Sequence, residues 1–389
     1  MRTPVFRKPR RWVSAVTASI LAAIFLSACG GQGNILDTYG PIAGEERTLF
    51  YIILVIATIV FVGVEGALIY SIIRFRERPG MPNPRQIHGN LTIEMIWTAV
   101  PAIILFITLG FTIQTLFAVD AAPPAGTNMV TVEAVGHQWW WEFYYPTYKI
   151  TTADSLYIPV NTEVKVELYS NNVIHSFWVP QLTGKTDVIP GHDNVKYFSA
   201  NQTGTYIGEC AEYCGTEHAN MKFNVVVEQP DQFNTWVTTQ QQAAVTPAKG
   251  SLAAQGEQIF ANGVCSGCHG IVGVNIQPGP AGSSTQYGYY DPSVYCNNPA
   301  PQTSDSTDCK VGPNLTHFGS RLLIAGGVLT NNAADCQPET ETFQQLLQTC
   351  NLAKWLNDPQ GIKPGNDMVI NQLTPDQIKA LVAYLESLK

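Results

Sequence analysis

Residues 210–221 read CAEYCGTEHANM, and they bring two thiols, an imidazole and a thioether into a single short segment. Thiolate and thioether sulfur are soft donors that favour copper over magnesium or calcium, and imidazole binds copper readily. This set of side chains therefore indicates a redox copper site. A second imidazole is available at His175, which follows a strand-like run upstream of Cys210. A ligand on a neighbouring loop of this kind predicts an all-β host domain.

The sequence around this segment has the pattern of a small β-sandwich. It begins after a Pro/Gly/Ala-rich connector at 121–128. Short β-rich runs separated by turn residues follow, for example 129–135, 163–169, 205–208 and 223–228. About a hundred residues of this kind fit a sandwich. We therefore predict a copper-binding domain over 125–230 and a flexible linker, rich in Gln, Thr and Ala, over 231–250.

A second redox motif lies beyond the linker. Cys265, Cys268 and His269 form the pattern CSGCH of covalent c-type haem attachment, in which both thiols bond to the haem and the imidazole ligates iron. The alternatives are a chance match and a zinc knuckle, but the sequence has no second Cys/His pair at zinc spacing. We predict Met368 as the sixth iron ligand, because it is the single methionine after the motif, with His317 as its competitor. Methionine ligation would raise the reduction potential of the haem.

The chain beyond the linker is predicted to be helical. The predicted helices cover 251–263, 322–329, 343–357 and 374–388. Thr374 stands directly before Pro375, which is typical of a capped helix start. We therefore predict an all-α haem domain over 251–389.

The first part of the chain predicts export and membrane anchoring. Residues 1–28 combine a basic start with an apolar run, which is typical of a lipoprotein signal peptide whose Cys29 carries lipid; an uncleaved signal anchor is the alternative. Within 29–120, two apolar stretches predict transmembrane helices at about 48–74 and 92–118. The loop between them carries four arginines, so we expect it in the cytoplasm and the following domains outside.

The net charge excludes one class of partner, and the cysteine content indicates disulfides. The formal net charge of −8 argues against nucleic acid as a partner. An exported chain can form disulfides. Of the nine cysteines, five are assigned above to lipid, copper and haem, and four remain. These four permit three connectivities, of which we favour the local pairs Cys296–Cys309 and Cys336–Cys350.

These motifs together resemble subunit II of a bacterial haem–copper cytochrome c oxidase of the caa3 type, with a cytochrome c domain at the C-terminus. Besides 210–221, the segments that carry the resemblance are HSFWVP at 175–180, GKTD at 184–187, QWWW at 138–141 and EMIWT at 94–98. The resemblance implies a multi-domain membrane protein. Its parts would be a two-helix transmembrane hairpin, an all-β cupredoxin-like sandwich and an all-α class I cytochrome c domain.

The resemblance also implies a function and a set of site residues. Electrons would pass from a donor through haem c to a dinuclear copper centre, CuA, and on to subunit I, which reduces O2 to water and pumps protons. The residues that match the CuA ligands are His175, Cys210, Cys214, His218, Met221 and the backbone carbonyl of Glu212. A mononuclear blue-copper site would need a single cysteine.

Three further roles follow from the resemblance. The Glu212 side chain matches a residue that helps to bind magnesium at the interface with subunit I. Trp139 matches the aromatic position through which electrons reach CuA. Glu94 matches the acid at the cytoplasmic mouth of a proton channel in subunit I. Glu65, inside the first predicted membrane helix, is expected to face protein and to make a structural contact with subunit I.

The resemblance implies partners and a location as well. The partners are oxidase subunits I and III, membrane lipid, and either cytochrome c or a quinol-oxidising complex as donor. The location is a bacterial plasma membrane, with the copper and haem domains on its outer face. The chain departs from the family pattern at four places, namely Trp140 in place of Tyr, His192 in place of Arg, Val369 in place of Pro, and a long insertion at 276–310.

Three other classes of protein share part of this pattern. A nitric oxide or nitrous oxide reductase subunit could use the same copper centre, but Glu94 with the membrane hairpin favours an oxidase. A copper-delivery lipoprotein could use two cysteines and a distant histidine, but would lack Met221 and the haem domain. Quinol oxidase subunits share the hairpin and sandwich but lose the copper ligands, all of which this chain has.

Overall fold

The structure is a computed structural model, and it describes residues 20, 31, 33–80, 88–170, 172–263, 265–275, 312–370 and 372–389. The predicted lipid-carrying Cys29 lies outside these residues. The predicted Cys296–Cys309 pair and the insertion at 276–310 also lie outside them.

Two long helices form the predicted hairpin, α1 (Pro41–Arg74) and α2 (Leu91–Val119). Both have the length and apolar composition to cross a membrane, and their large apolar side chains are exposed. Helix α1 begins earlier than predicted, because its first turn packs against the following domain, where the amide of Ala43 donates to the carbonyl of Leu182. Asn90 caps α2 by accepting from the amides of Thr92 and Ile93.

The middle of the chain is a β-sandwich, as predicted. Its strands are β1 (Met129–His137), β2 (Trp140–Tyr145), β3 (Ile150–Ala153), β4 (Ser155–Pro159), β5 (Glu163–Ser170), β6 (His175–Val179), β7 (Thr183–Val188), β8 (Asn194–Phe198), β9 (Gly204–Cys210) and β10 (Lys222–Glu228). They form two five-stranded sheets in the orders β3-β2-β1-β5-β8 and β4-β10-β9-β6-β7.

Aromatic rings fill the space between the two sheets. Trp141 and Phe143 point inward from one sheet and Phe177 and Phe223 from the other, and all four are fully buried. The ring centroids of Phe177 and Phe223 are 5.0 Å apart, and Trp141 lies 5.9 Å from Phe177. Such rings combine a large buried area with specific edge and face contacts, so they fix how the two sheets align.

The first half of the predicted flexible linker is a helix, α3 (Pro230–Gln240), which differs from the prediction. Most residues of this helix are polar, but one of its faces is apolar. Phe233 and Val237 are buried, and Trp236 stacks on Tyr157 with the ring centroids 4.6 Å apart. These side chains recur at helical spacing, so the segment packs against the sandwich instead of remaining an extended tether.

The C-terminal domain is mainly helical. Its helices are α4 (Leu252–Asn262), α5 (Cys265–Cys268), α6 (Phe343–Thr349), α7 (Asn351–Asn357), α8 (Pro359–Ile362) and α9 (Pro375–Ser387). Helix α9 starts as predicted, with Thr374 accepting from the amide of Gln377. Helices α4 and α9 cross closely at Gly256, where a Cβ atom would clash with the carbonyl oxygen of Ala380.

One predicted helix in this domain is wrong, and another is divided into two helices. The run at 322–329 forms a small hairpin of β11 (Leu323–Ile324) and β12 (Leu329–Thr330), because Gly326 and Gly327 have positive φ values of 66° and 83°. The predicted helix at 343–357 is divided at Cys350, which has an extended backbone. Cys350 forms a disulfide with Cys336, so the structure pairs these two cysteines as predicted.

The crossing of α4 and α9 yields a stability prediction. Gly256→Ala is expected to destabilise the haem domain by about 1–3 kcal/mol, because the added methyl group forces the two helices apart. Thermal unfolding followed by the haem absorption measures this effect. Ala261→Val, at an exposed position on the same helix, is the matched control. Equal unfolding temperatures for the two variants would contradict the close crossing.

Candidate metal centres and the contact between them

The fold brings the predicted copper ligands together from two neighbouring strands and one loop. His175 opens β6 and Cys210 ends β9, and these strands pair with Phe177 opposite Cys210. The chain then turns through 211–221, with a short 3₁₀ turn at His218–Asn220, before it enters β10. Two adjacent strands of one sheet therefore fix the first imidazole and the first thiol relative to each other.

Cys210 lies at the centre of one half of the cluster. Its Sγ atom is 3.8 Å from the Sγ of Cys214 and 3.8 Å from the Nδ1 of His175. It also lies 3.2 Å from the backbone carbonyl oxygen of Glu212. Among the described residues, the ligand atoms of His175, Cys210 and Cys214 all lie within 4.8 Å of one another. This half offers one imidazole and one carbonyl oxygen beside the paired thiols.

Cys214 lies at the centre of the other half. Its Sγ atom is 3.7 Å from the Nδ1 of His218 and 3.8 Å from the Sδ of Met221. The two thiols thus each have an imidazole and one weaker donor at similar distances. Sulfur and imidazole donors in this arrangement fit copper, and the residues present match the predicted ligand set.

The first imidazole is held by a residue that the sequence did not single out. His175 Nε2 donates to Asn172 Oδ1 at 3.1 Å, which leaves Nδ1 directed at Cys210. Gly136 makes room for the ring, since a Cβ atom there would lie 2.7 Å from Cδ2 of His175. A hydrogen bond to the ring nitrogen that does not bind metal fixes the tautomer and orientation of a ligating histidine. Neither Asn172 nor Gly136 carried a recognisable signal in the sequence.

The two thiols shift each other's proton affinity in opposite directions. The neighbouring thiol of Cys214 donates to Cys210 and lowers the pKa of Cys210. The pKa of Cys214 is raised, because its proton is held in that hydrogen bond and because a second buried thiolate would be desolvated beside the first. A cation bound between the two sulfurs removes this penalty, so metal binding should release protons from the pair.

The haem motif has one orienting contact of its own. Cys265 and Cys268 lie on α5, and His269 follows directly. His269 Nδ1 donates to the carbonyl oxygen of Pro313 at 2.9 Å, which leaves Nε2 for iron. Asn275 donates to the backbone carbonyl of His269 at 2.8 Å and so secures the turn. Pro313 thus orients the predicted iron ligand.

The structure separates the two candidates for the sixth ligand. Met368 packs against the core of the haem domain, as Cys265 does, and its amide donates to Asn366 Oδ1 at 2.7 Å. His317, the competing candidate, donates through Nε2 to the carbonyls of Gln240 and Gln242. His317 therefore binds the linker.

The three tryptophans of the QWWW run have different surroundings. Trp139 Nε1 donates at 3.0 Å to the carbonyl oxygen of Cys214, within the copper cluster. Its backbone carbonyl accepts from Nζ of Lys363, in the haem domain, at 2.6 Å. Trp140 stacks on His137 with ring centroids 4.2 Å apart, and Trp141 belongs to the sandwich core. Of these three tryptophans, Trp139 is thus the one that contacts both the copper cluster and the haem domain.

The remaining predicted residues lie away from this cluster or at its edge. Glu94 is in the first turn of α2, at the end of the hairpin far from the sandwich. Glu65 is half-buried within α1. The Glu212 side chain is half-buried and belongs to no group of three potential ligands in the described part of the chain. His192 is exposed.

The fold and these two clusters define a membrane-anchored electron-transfer subunit with a cupredoxin-like domain and a cytochrome c domain. Three family profiles match the chain: "Cytochrome C oxidase subunit II, transmembrane domain" at 29–114, "Cytochrome C oxidase subunit II, periplasmic domain" at 149–229, and "Cytochrome c" at 253–389. The chain belongs to the cytochrome c oxidase subunit II family, with a cytochrome c domain fused at its C-terminus.

Relatives support this assignment over nearly the whole length. Cytochrome c oxidase subunit 2 of Alkalihalophilus pseudofirmus is 32% identical over 94% of this chain and 94% of its own. The same subunit of Bacillus sp. strain PS3 is 34% identical over 95% of each chain. Quinol oxidase subunit 2 of Bacillus subtilis is 30% identical over 58% of this chain and 72% of its own. The matches to the two cytochrome c oxidase subunits therefore cover more of this chain than the match to the quinol oxidase subunit does.

The family assignment fixes the coarse function. The chain is a subunit of a haem–copper terminal oxidase, an oxidoreductase complex, and other oxidase subunits are its partners. Its sandwich domain implies copper and its C-terminal domain implies haem c. The two apolar helices anchor it in a membrane, and the sandwich domain lies outside the cytoplasm.

Proposed function

We propose that this chain relays electrons from a donor, through haem c and a dinuclear CuA centre, to subunit I, which reduces O2 and pumps protons. The observation that carries the proposal is the position of Trp139. Its indole donates to the carbonyl of Cys214 in the copper cluster, and its backbone carbonyl accepts from the ammonium group of Lys363 in the haem domain. One residue thus contacts both the copper cluster and the haem domain.

The chain supplies a complete donor set for CuA. The residues that would hold it are His175, Cys210, Cys214, His218, Met221 and the carbonyl of Glu212. The paired thiols support two metal ions in preference to one, because a mononuclear copper site needs a single cysteine. When bound, the copper pair supplies a one-electron carrier. Burial of Cys210, Cys214 and Met221 keeps water away from the sulfur ligands.

The chain also supplies the attachment of haem c. Cys265 and Cys268 would bond to the haem covalently, with His269 and Met368 as the axial iron ligands. When bound, the haem supplies the carrier that a donor reduces first. Pro313 holds the His269 ring in position, and Asn366 holds the backbone of Met368.

A pocket beside the copper cluster supports the contact with subunit I. It is lined by Trp178, Lys185 and Glu209 and also touches Cys210 and His218. A concave surface that carries the charged side chains of Lys185 and Glu209 and reaches two copper ligands suits an acceptor protein on that side. We place the proposed magnesium ion at the same interface, bound in part by the Glu212 side chain.

The remaining assignments extend the proposal to the membrane. Glu94 would serve as the mouth of a proton channel into subunit I, and Cys29 would carry lipid. The membrane would be a bacterial plasma membrane, with subunit III as a further partner and cytochrome c or a quinol-oxidising complex as donor. The domain limits would be 29–120, 125–230 and 251–389, with 1–28 removed as the signal peptide.

Trp139→Leu tests the relay in the assembled oxidase. Electron transfer from haem c to copper is expected to slow by about tenfold or more, a barrier increase of at least about 1.4 kcal/mol. Stopped-flow absorption separates reduction of the haem, which stays fast, from that of copper. Trp140→Leu is the control, because Trp140 stacks on His137 away from Cys214. Equal copper reduction rates in both variants would contradict the relay.

A further inference from the structure

One lysine joins the two redox domains. Lys363 belongs to the haem domain and is 3% exposed. Its ammonium group donates to the carbonyl oxygens of Trp139 at 2.6 Å, Asn220 at 2.9 Å and Ala325 at 2.9 Å. A lysine ammonium has three N–H donors, so this one is fully used. Two of the acceptors lie in the sandwich and one in the haem domain.

The acceptors on the sandwich side border the copper cluster. Trp139 donates its indole N–H to the carbonyl of Cys214, and Asn220 directly precedes Met221. The ammonium of Lys363 therefore binds the backbone at two points beside the half of the cluster that Cys214 centres. A charged donor to backbone carbonyls makes stronger hydrogen bonds than a neutral one, which suits a contact that must keep its geometry.

On the haem side, Lys363 connects to the predicted methionine ligand. Its carbonyl oxygen accepts from the Asn366 side chain at 2.6 Å. Asn366 Oδ1 in turn accepts the amide of Met368 at 2.7 Å. A short path of hydrogen bonds thus leads from the ammonium, through one loop, to the backbone of Met368.

A turn of the haem domain packs beside the contact between Lys363 and the sandwich. Gly326, in the turn between β11 and β12, accepts the amide of Lys222 at 2.9 Å. A Cβ atom at Gly326 would clash with both Lys363 Nζ and the carbonyl of Trp139. The backbone of the haem domain therefore approaches the sandwich as closely as a glycine permits.

A buried acid of the sandwich, Asp154, interacts electrostatically with Lys363. Asp154, on the sandwich, is 4% exposed, and its Oδ1 accepts the amide of Trp141. Burial raises the pKa of Asp154 to about 6, and the cations Lys363 and Arg321 of the haem domain oppose that shift. The contact thus places a buried acid of one domain within electrostatic range of two cations of the other.

We propose that Lys363 is a positioning residue for electron transfer, which docks the haem domain on the sandwich with the Met368 loop against Trp139. This inference rests on the proposed function. It adds that the two domains have a fixed contact, with the linker as a secondary restraint. It adds also that the docked haem domain covers Trp139, so an external cytochrome delivers electrons to the chain's own haem and does not reach copper through this residue.

The test compares Lys363→Met with Lys249→Met, an exposed lysine in the linker, in the assembled oxidase. Lys363→Met is expected to slow electron transfer from haem c to copper by about tenfold or more. The copper and haem absorption and the rate at which a donor reduces the haem are expected to stay unchanged. Cleavage within 241–250 by elastase, which cuts after small residues such as Ala243 and Ala244 and not after lysine, should become faster as the docked state opens. Lys249→Met should behave as the unmodified chain does.

Three outcomes would overturn the proposal. They are an unchanged transfer rate in Lys363→Met with intact spectra, unchanged cleavage of the linker, or loss of the copper absorption, which would make Lys363 a support of the copper site. Asp154→Asn provides a second variant on the opposite domain. It retains an acceptor for the Trp141 amide and should slow transfer in the same direction, and an unchanged rate there also counts against the docking contact.

The failure of the proposed function is distinguishable from the failure of this inference. If the unmodified chain transferred no electrons from haem to copper, the relay itself would be wrong whatever the lysine variants did. If the unmodified chain did transfer electrons and the variants matched it, only the role of Lys363 would be wrong.

Discussion

Replacing His218 by alanine is expected to abolish the copper absorption of the assembled oxidase while haem c remains reducible by an added donor. The His218 Nδ1 atom lies 3.7 Å from the Cys214 thiol, in the half of the cluster that Met221 completes. Loss of this imidazole leaves that half with sulfur donors alone. Turnover with a donor that acts through the haem should fall to the background level.

The control for this variant is His192→Ala. His192 is an exposed histidine of the same domain, so its loss should leave the copper content unchanged. Copper analysis and visible absorption measure the first effect, and oxygen consumption measures the second. Normal turnover in His218→Ala would show that electrons bypass the copper cluster.

Replacing both haem-attaching cysteines is expected to remove the covalent haem. In the double variant Cys265→Ser with Cys268→Ser, the haem should no longer remain with the polypeptide after denaturation, because both thioether bonds are lost. Copper absorption should be retained, since the copper ligands lie in the sandwich. Turnover with an external donor should be lost, because the docked haem domain leaves copper without its donor.

Ser266→Ala is the matched control, since Ser266 lies between the two cysteines and its hydroxyl donates to the carbonyl of Ala261. It should keep its haem through denaturation. Retention of covalent haem in the double variant would contradict the assigned attachment site.

The sequence could predict the parts of the site that are local in the chain. The four ligand side chains within 210–221, the CSGCH motif and the strand runs all depend on residue type and short spacing. The structure brings His175, Cys210 and Cys214 together as those patterns predicted. The membrane helices were also predictable, because an uninterrupted apolar run of this length is typical of a helix that spans a bilayer.

The parts that could not be predicted depend on long-range packing. Helix α3 was missed because Gln and Thr dominate its composition, and its apolar face forms only against Tyr157 of the sandwich. The hairpin at 322–329 was missed because its apolar residues also suit a helix. The bond between Lys363 and Trp139 joins residues that are 224 positions apart, and no local pattern marks it.

The most direct test of the electron relay is the metal content and the electron paramagnetic resonance spectrum of the purified oxidase subunit. We predict two copper atoms and one iron per chain, with one unpaired electron shared by both coppers and therefore a multiline copper signal. A chain that held a single copper atom with a simple four-line signal, or that held no iron, would contradict the relay through haem c and CuA.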